Sequence, residues 1–526
     1  MKKSWFEFLF ISGVIILLVS LLSGAINTLD SGAEDIEMLQ TFNLDEGSGT
    51  WQLLQNVQNK DFDPRGFYYY GYSYFSLTHL MVKALGIVGF ETTNEGFLAV
   101  CLRFVSLFSW FLCFLLSFGI GKNLKWSNRM SLLAAAAICF MPKFYEYAQF
   151  VHPDTLQQAF TLAGIYALTR WSNLKGILLS ALFLGLAFGT KYSGIFLLPL
   201  SYLALFFWFR AGKLSSQKLL FGTFGILAVF FLAWFVFNPS FFSNLEAVQA
   251  DLNEQTTFVR RGNHQTESSN PLLWFSVIQT QTSYILSSLL IAGLLLAFFH
   301  WKSKGFLERD LLPWLMLAVF VTGFVYLMIA FQMRRPRYMF HLFPLLIFAS
   351  FHFLEIKQAV LQAFPRRLTF IYAMIGLIFM SLTAMRAMEF RQNPESNSRI
   401  QAGLWLAKEY PPDVRIISDY YSYVPKDKFP NSWHVFGMLP QDVINFDPDI
   451  LVINKKLSGA RSWKKEGTRF RDLDFEISGK DQAQEYAAFH RWLYSDACPF
   501  VPVYEVNDII ILEKEKGSEG QASSIH

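Results

Sequence analysis

Phe42-Asn43-Leu44-Asp45-Glu46-Gly47-Ser48-Gly49 lies at the centre of a polar segment, Asn27 to about Gly71, set between one apolar run and the next. Adjacent carboxylates at the edge of a membrane are costly to hold in apolar surroundings and lose little when they face water. Asp45 and Glu46 therefore belong either to a solvated loop or to a site that uses charge. The rest of the chain bears on that choice by placing other reactive groups on the same side of the bilayer.

Hydrophobic residues make up 53% of the 526, gathered into runs of roughly 17 to 25, the length a helix needs to cross ~30 Å of hydrocarbon. The chain reads as a mainly α, polytopic membrane protein of about eleven crossings. They are expected near 5–25, 98–120, 130–148, 154–171, 174–190, 193–209, 219–238, 277–299, 311–331, 336–354 and 367–386. The first resembles a signal peptide in its Lys2-Lys3 start, but its apolar core is long and it is read as an uncleaved helix. The segment from Tyr72 to Phe90 carries His79 and Lys83 behind the cluster Phe67-Tyr68-Tyr69-Tyr70, and is read as lying in the interface. The net charge of +4 offers no basic face for nucleic acid. Of the four cysteines only Cys498 falls in a polar region, so there is no disulfide framework and no metal-type spacing.

Short cytoplasmic loops are enriched in Lys and Arg, which orients the chain independently of any motif. With the N-terminus inside, every inner loop is basic, from Lys122, Lys125 and Arg129 to Lys357, Arg366 and Arg367. Five unusual stretches then fall outside: Asp45-Glu46, His152-Pro153-Asp154, Gly189-Thr190-Lys191-Tyr192-Ser193, the polar loop 238–276, and Arg334-Arg335-Pro336-Arg337-Tyr338. Their convergence on one face of a plasma (inner) membrane is the argument that chemistry occurs there.

After about Met388 the apolar runs stop. Helical spacing over 396–409 and 483–494, with strands at 413–418, 448–453, 501–504 and 509–512, predicts a small α/β extracytoplasmic domain. The expected organisation is a membrane domain, 1–387, including an outer loop at 26–97; a soluble domain, 388–514; and a disordered tail, 515–526.

Each candidate group has two readings. Asp45 and Glu46 are a base for an acceptor hydroxyl or the acidic cap of a following helix, Thr50 to Gln58, and Glu34 and Asp35 compete with them from a second acidic cluster. Asp154 is an N-cap, or with His152 it positions an acceptor or a divalent cation. Lys191, beside Tyr192, snorkels to the surface or meets a phosphate. Arg334, Arg335 and Arg337 break the positive-inside pattern; guanidinium forks suit phosphate oxygens, and anionic headgroups are the alternative partner. Arg103, inside the second crossing, needs a partner or a watery cavity.

Taken together these pieces resemble the GT-C glycosyltransferases, in the family 39-like branch of protein O-mannosyltransferases and bacterial enzymes that transfer aminoarabinose to lipid A. The resemblance rests on Asp45-Glu46 in a long first loop, Tyr68-Tyr69-Tyr70-Gly71 before an interfacial helix, and Arg103-Phe104-Val105-Ser106. It rests also on His152-Pro153-Asp154, the run Gly185 to Gly194, and Arg337-Tyr338 before a helix with Pro344. It implies inverting transfer of a hexosyl or pentosyl group from a polyprenyl-phosphate-linked donor to an acceptor hydroxyl on a lipid, glycan or protein. Asp45 would be the base with Glu46 beside it, and Lys191, Arg337 and Arg103 would hold the departing phosphate, with Tyr192, Arg334 and Tyr338 alongside. Some members of the branch use a divalent cation and others do not. The chain departs from the branch where Tyr69-Tyr70-Gly71-Tyr72 replaces a Tyr-Pro-Pro-Leu or His-Pro-Pro-Leu stretch. No Walker loop or Rossmann fingerprint is present to bind a nucleotide sugar. A transporter or flippase of a lipid-linked sugar is the alternative; it needs polar groups continuing to the inner face, where the apolar runs carry few. A nonenzymatic scaffold leaves Arg103 and the arginine cluster without work.

Overall fold

A computed structural model describes residues 2–33, 35–42, 44–64, 68, 70–261, 270–304, 310–331, 335–358, 366–386, 397–419, 422–435, 438, 440–454, 489, 492–493, 498–507 and 509–515. The helices run α1 Lys2–Ile26, α2 Ile36–Phe42, α3 Leu44–Asn59, α4 Ser73–Ile87, α5 Glu95–Asn123, α6 Asn128–Cys139, α7 Pro142–Ala148, α8 Asp154–Arg170 and α9 Leu174–Thr190. They continue as α10 Leu198–Arg210, α11 Ser216–Phe237, α12 Ser240–Ser243, α13 Leu245–Arg261, α14 Leu273–Lys304, α15 Leu311–Ala330, α16 Phe343–Gln358, α17 Arg366–Arg386, α18 Ser398–Glu409 and α19 Pro440–Phe446.

Helices occupy every segment expected to cross, and the exceptions to continuity have local causes. The expected 130–148 crossing is two helices, α6 and α7, because Pro142 cannot continue the hydrogen-bond ladder and starts a new helix instead. Among the described residues six helices are long and apolar enough to span a bilayer by themselves: Glu7–Ile26, Glu95–Asn123, Tyr192–Arg210, Ser216–Phe237, Leu273–Lys302 and Leu311–Ala330. Asn128–Cys139, Leu174–Thr190, Phe343–Ile356 and Phe370–Arg386 are apolar but shorter. α4 has 15 residues, about 22 Å at 1.5 Å per residue, too short for the hydrocarbon core and in keeping with an interfacial helix.

One large apolar core joins α1, α5–α11 and α14–α17. Helices cannot gain from excluding water inside lipid, so close backbone approach through small residues does the work. Ala134, Ala135, Ala136 and Ala137 of α6 are all fully buried, and a side chain at Gly293 of α14 would run into the Ser350 carbonyl of α16. The exposed faces are the reverse: Leu220, Phe221, Phe224, Phe231, Leu232 and Val236 of α11 point outward, a surface suited to acyl chains.

The chain divides into two compact units: Met1–Asp30, Gly49–Gly262 and Ser268–Met388 form the first, and Ser31–Ser48, Asn263–Glu267 and Glu389–His526 the second. The second holds β1 Ile416–Asp419, β2 Trp433–Val435, β3 Ile450–Asn454, β4 Phe500–Val506 and β5 Ile509–Lys514 in the order β2-β1-β3-β5-β4. β1 runs parallel to β2 and β3, while β5 is antiparallel to β3 and β4. All five residues of β3 are buried, as expected of a strand covered on both faces. Ile450 and Val452 pack with Ala402 and Leu406 of α18 on one side, and Leu451 and Ile453 with Val443 of α19 and Phe489 on the other. The four expected strands are present; the expected helix 483–494 and the tail beyond 515 lie outside the described residues apart from 489 and 492–493. The segment 31–48, which sequence grouping assigned to the membrane domain, clusters with the sheet.

Candidate active site

The site is organised on Lys191. α9 is apolar to its end at Thr190; Lys191 then takes extended backbone (φ −158°, ψ 131°) while its N–H still closes the last turn on Ala187. A 3-10 turn, Tyr192–Leu197, follows. The Lys191 ammonium reaches 2.6 Å from Asp154 Oδ1 at the head of α8, and Asp154 Oδ2 is 2.6 Å from His152 Nδ1. Asp154 and His152 are fully buried and Lys191 is nearly so. A buried carboxylate persists only when its charge is paired, and here one cation and one imidazole take the two oxygens. Gln157, one turn along α8 and on the same face, donates to the Lys191 carbonyl (3.2 Å) and to Ser193 Oγ (2.9 Å). It fixes the stretch that carries the lysine, a role not read from the sequence although its i+3 spacing from Asp154 is visible there.

Two aromatic rings flank the ammonium, Tyr70 at 5.5 Å and Tyr338 at 5.8 Å from Nζ to the ring centres. Arg337 lies over the Tyr338 ring at 5.4 Å and donates to Tyr70 Oη at 3.4 Å. Lys191, Tyr192, Ser193, Arg337 and the two tyrosines line a cavity of 250 Å³, closed on its apolar side by Phe196, Tyr326 and Phe331 and by Leu252 of α13. Tyr192 Oη donates to the Tyr68 carbonyl at 2.8 Å. Gly71 explains the departure from the Pro-Pro stretch. A Cβ there would collide with the Gly189 carbonyl, so glycine is what lets the tyrosine segment lie on the end of α9. Asn238 closes the junction, accepting the Tyr72 N–H at 2.5 Å and donating to Ser73 Oγ at 3.2 Å.

Arg103 is fully buried in α5 and donates to the Leu29 carbonyl at 2.8 Å. Ser106, three residues on and on the same face, donates to the His152 carbonyl at 3.2 Å, and Tyr74 Oη joins Ser106 at 2.9 Å. These contacts bring α5 against the His152 turn.

Among the acids, Glu46 is fully buried and lies with Asp45 in the first turn of α3, which begins at Leu44 rather than Thr50 as expected. Negative charge favours a helix start. The Asp45 side chain, Glu34 and Arg334 lie outside the described residues. Gly49, on the same helix, faces Val151 next to His152: a Cβ there would meet Val151 Cγ1 at 2.8 Å and the Phe75 ring at 3.3 Å. Asp35 is engaged elsewhere, with Oδ1 accepting the Glu37 N–H at 2.9 Å and Oδ2 accepting the Tyr423 hydroxyl at 2.8 Å. Arg335 is exposed. Among the described residues no group of three or more His, Cys, Asp or Glu side chains is arranged to hold a metal ion.

Comparison with known proteins adds to this geometry. Residues 88–248 match the family model of dolichyl-phosphate-mannose-protein mannosyltransferases. The fold matches a crystal structure of ArnT from Cupriavidus metallidurans bound to undecaprenyl phosphate, with a TM-score of 0.51 and 12% identity over 97% of this chain and 98% of that one. The apo structure of the same protein matches with a TM-score of 0.50 and 10% identity, over the same shares. No curated protein matches the sequence. The resemblance drawn from the sequence is met by a family model over residues 88–248 and by a polytopic fold, with its small sheet-containing region, over nearly the whole chain.

Proposed function

We propose that the chain is a membrane-embedded GT-C glycosyltransferase that moves a hexosyl or pentosyl group from a polyprenyl-phosphate-linked donor to an acceptor hydroxyl on a lipid, glycan or protein. Transfer takes place at the extracytoplasmic face, with the N-terminus cytoplasmic and the sheet-containing domain outside. The observation that carries the reading is the Lys191–Asp154–His152 network opening on a cavity that also holds Arg337. A nearly buried ammonium and a half-buried guanidinium beside an apolar wall suit a lipid phosphate: both meet its oxygens, and Phe196 and Phe331 meet the first isoprene units.

In this mechanism Asp45 removes the proton from the acceptor hydroxyl, with Glu46 beside it, and the oxygen attacks the anomeric carbon from the face opposite the phosphate. The carbon–oxygen bond to the phosphate breaks as the new glycosidic bond forms, so the anomeric configuration inverts. Negative charge grows on the departing phosphate, where Lys191 and Arg337 stabilise it without reorganising; Arg103, grouped with them on sequence, donates to the Leu29 carbonyl and is not among the residues lining the cavity. Asp154 holds Lys191 in place, and His152 occupies its second carboxylate oxygen.

The test is to incubate the purified full-length protein with radiolabelled polyprenyl-phosphate sugar and membrane acceptors and follow label out of the donor. Asp45→Asn is expected to abolish transfer while leaving donor binding intact. A fully active Asp45→Asn removes Asp45 from the mechanism, and a protein that binds donor, transfers nothing and moves it across a vesicle membrane is a transporter.

A further inference from the structure

The segment that leads into the acid pair is fastened to the sheet-containing domain at both of its ends. At the start of α2, Asp35 Oδ1 accepts the N–H groups of Glu37 (2.9 Å) and Met38 (3.4 Å), so it caps the helix, and Oδ2 accepts the Tyr423 hydroxyl at 2.8 Å. Glu37 is buried, yet its two oxygens face two partners from the domain, Lys426 Nζ at 3.0 Å and His434 Nε2 at 3.4 Å. His434 belongs to β2, and its other ring nitrogen is 2.5 Å from Ser418 Oγ of β1, so the clasp is anchored in the parallel part of the sheet. At the end of α2, Arg399 of α18 donates to the Thr41 carbonyl at 3.1 Å. Leu39, between these ties, is fully buried.

A seven-residue helix does not hold its shape in water by itself. The ties from Tyr423, Lys426, His434 and Arg399 therefore decide where α2 ends, and only Asn43 separates that end from the start of α3 and its Asp45-Glu46 pair. We propose that the C-terminal domain is a positioning device for the acids. Through Tyr423, Lys426 and Arg399 it fixes the α2–α3 junction and so sets the point in space from which the base acts. This rests on the reading of Asp45 as the base. Tyr423, Lys426 and Arg399 act through α2 and touch no substrate in this scheme.

The experiment uses the full-length protein and three variants, Tyr423→Phe, Lys426→Met and Arg399→Met, read in two independent ways. Amide hydrogen exchange over 36–48 reports the clasp whether or not Asp45 is the base. The separation of kcat from donor KM reports positioning, since misplacing a catalytic group costs on the order of 10- to 100-fold in turnover without touching donor contacts. The expected result is faster exchange over 36–48, a fall of that size in kcat, donor KM within about twofold, and recovery of both exchange and kcat in the charge-reversed pair Glu37→Lys with Lys426→Glu. Tyr423→Phe removes a single oxygen and guards against a variant that fails to fold. Unchanged exchange in all three variants overturns the clasp, and faster exchange with unchanged kcat overturns positioning. An active Asp45→Asn protein, by contrast, defeats the assignment of the base and leaves the exchange result standing.

Discussion

The Lys191 ammonium and the Asp154 carboxylate meet at 2.6 Å where Asp154 is wholly buried and Lys191 nearly so. A pair in that setting is a poor source of stability, because removing both ions from water offsets most of their attraction, but breaking it strands one charge. Lys191→Met and Asp154→Asn are each expected to lower stability by roughly 3–5 kcal/mol, read as a drop in melting temperature in detergent. The double variant should recover a large part of that loss, since its two sites are coupled. Transfer should be lost in all three, as none keeps the Lys191 ammonium fixed beside the cavity. Additive destabilisation in the double variant would show that the two side chains do not act as a pair.

Arg337 offers a sharper test of phosphate recognition because it sits at the mouth of the same cavity, hydrogen-bonded to Tyr70 and laid over the Tyr338 ring. Lysine keeps the charge but not the fork or the stacking surface. Arg337→Lys is expected to weaken binding of polyprenyl phosphate about tenfold and Arg337→Ala about a hundredfold, by the usual value of charge-assisted bonds. Equilibrium binding of the lipid phosphate alone measures both. Equal affinity in wild type and Arg337→Ala would move the phosphate away from this residue.

The parts of this molecule that were readable from its sequence are those that hydropathy controls. The expected crossings are helical over most of their length because runs of Leu, Phe and Ile have no other stable state in lipid. β2 escaped because Trp433-His434-Val435 is too short to show a period, and α19 because its seven residues carry too little apolar repeat. Within the site, Lys191, Asp154 and His152 were visible as polar interruptions of apolar stretches. Their pairing was not, since it depends on how α8 and α9 pack. The ambiguity between Asp35 and Asp45 had the same origin: nothing local to Asp35 reveals that its partner is Tyr423, 388 residues away.

A cluster that sequence reading passed over entirely lies at the other end of α16. Asp310 is fully buried and both its oxygens meet histidines, His300 Nε2 at 2.9 Å and His352 Nε2 at 3.1 Å, while Trp126 Nε1 donates to His352 Nδ1 at 3.2 Å. His352 stands nine residues into α16, about 14 Å from the helix start beside the cavity. This cluster ties α14, α15 and α16 together and is remote from the proposed phosphate. Asp310→Ala is therefore expected to cost roughly 2–4 kcal/mol of stability, the price of two buried imidazoles losing their acceptor. The protein that does fold should bind lipid phosphate with unchanged affinity. A stable variant that has lost lipid binding would show that the two ends of α16 communicate.

Asp419 gives the C-terminal domain a pH dependence of its own. It closes β1, is fully buried, and has one oxygen accepting the Asn454 N–H at 2.8 Å. Burial, against the smaller opposing pull of the Asn454 and Met438 amides, pushes its carboxyl from an ordinary 3.8 up to about 7. The folded domain therefore keeps a proton that the unfolded chain has released between those two values. The contribution of Asp419 to stability is greatest below about pH 4, declines as pH rises to about 7, and is flat beyond, each pH unit in that window being worth ~1.4 kcal/mol. Asn in its place cannot ionise but still accepts from Asn454. Asp419→Asn should therefore match the wild type near pH 4 and exceed it by a few kcal/mol at pH 8, and it should lose this component of the slope. Amide exchange in Ile416–Asp419 and Ile450–Asn454 of the full-length protein, corrected for the intrinsic pH dependence of exchange, measures it. A slope that survives the substitution would assign the titration to another group, and a variant less stable than wild type at pH 8 would mean that Asp419 is held as a carboxylate.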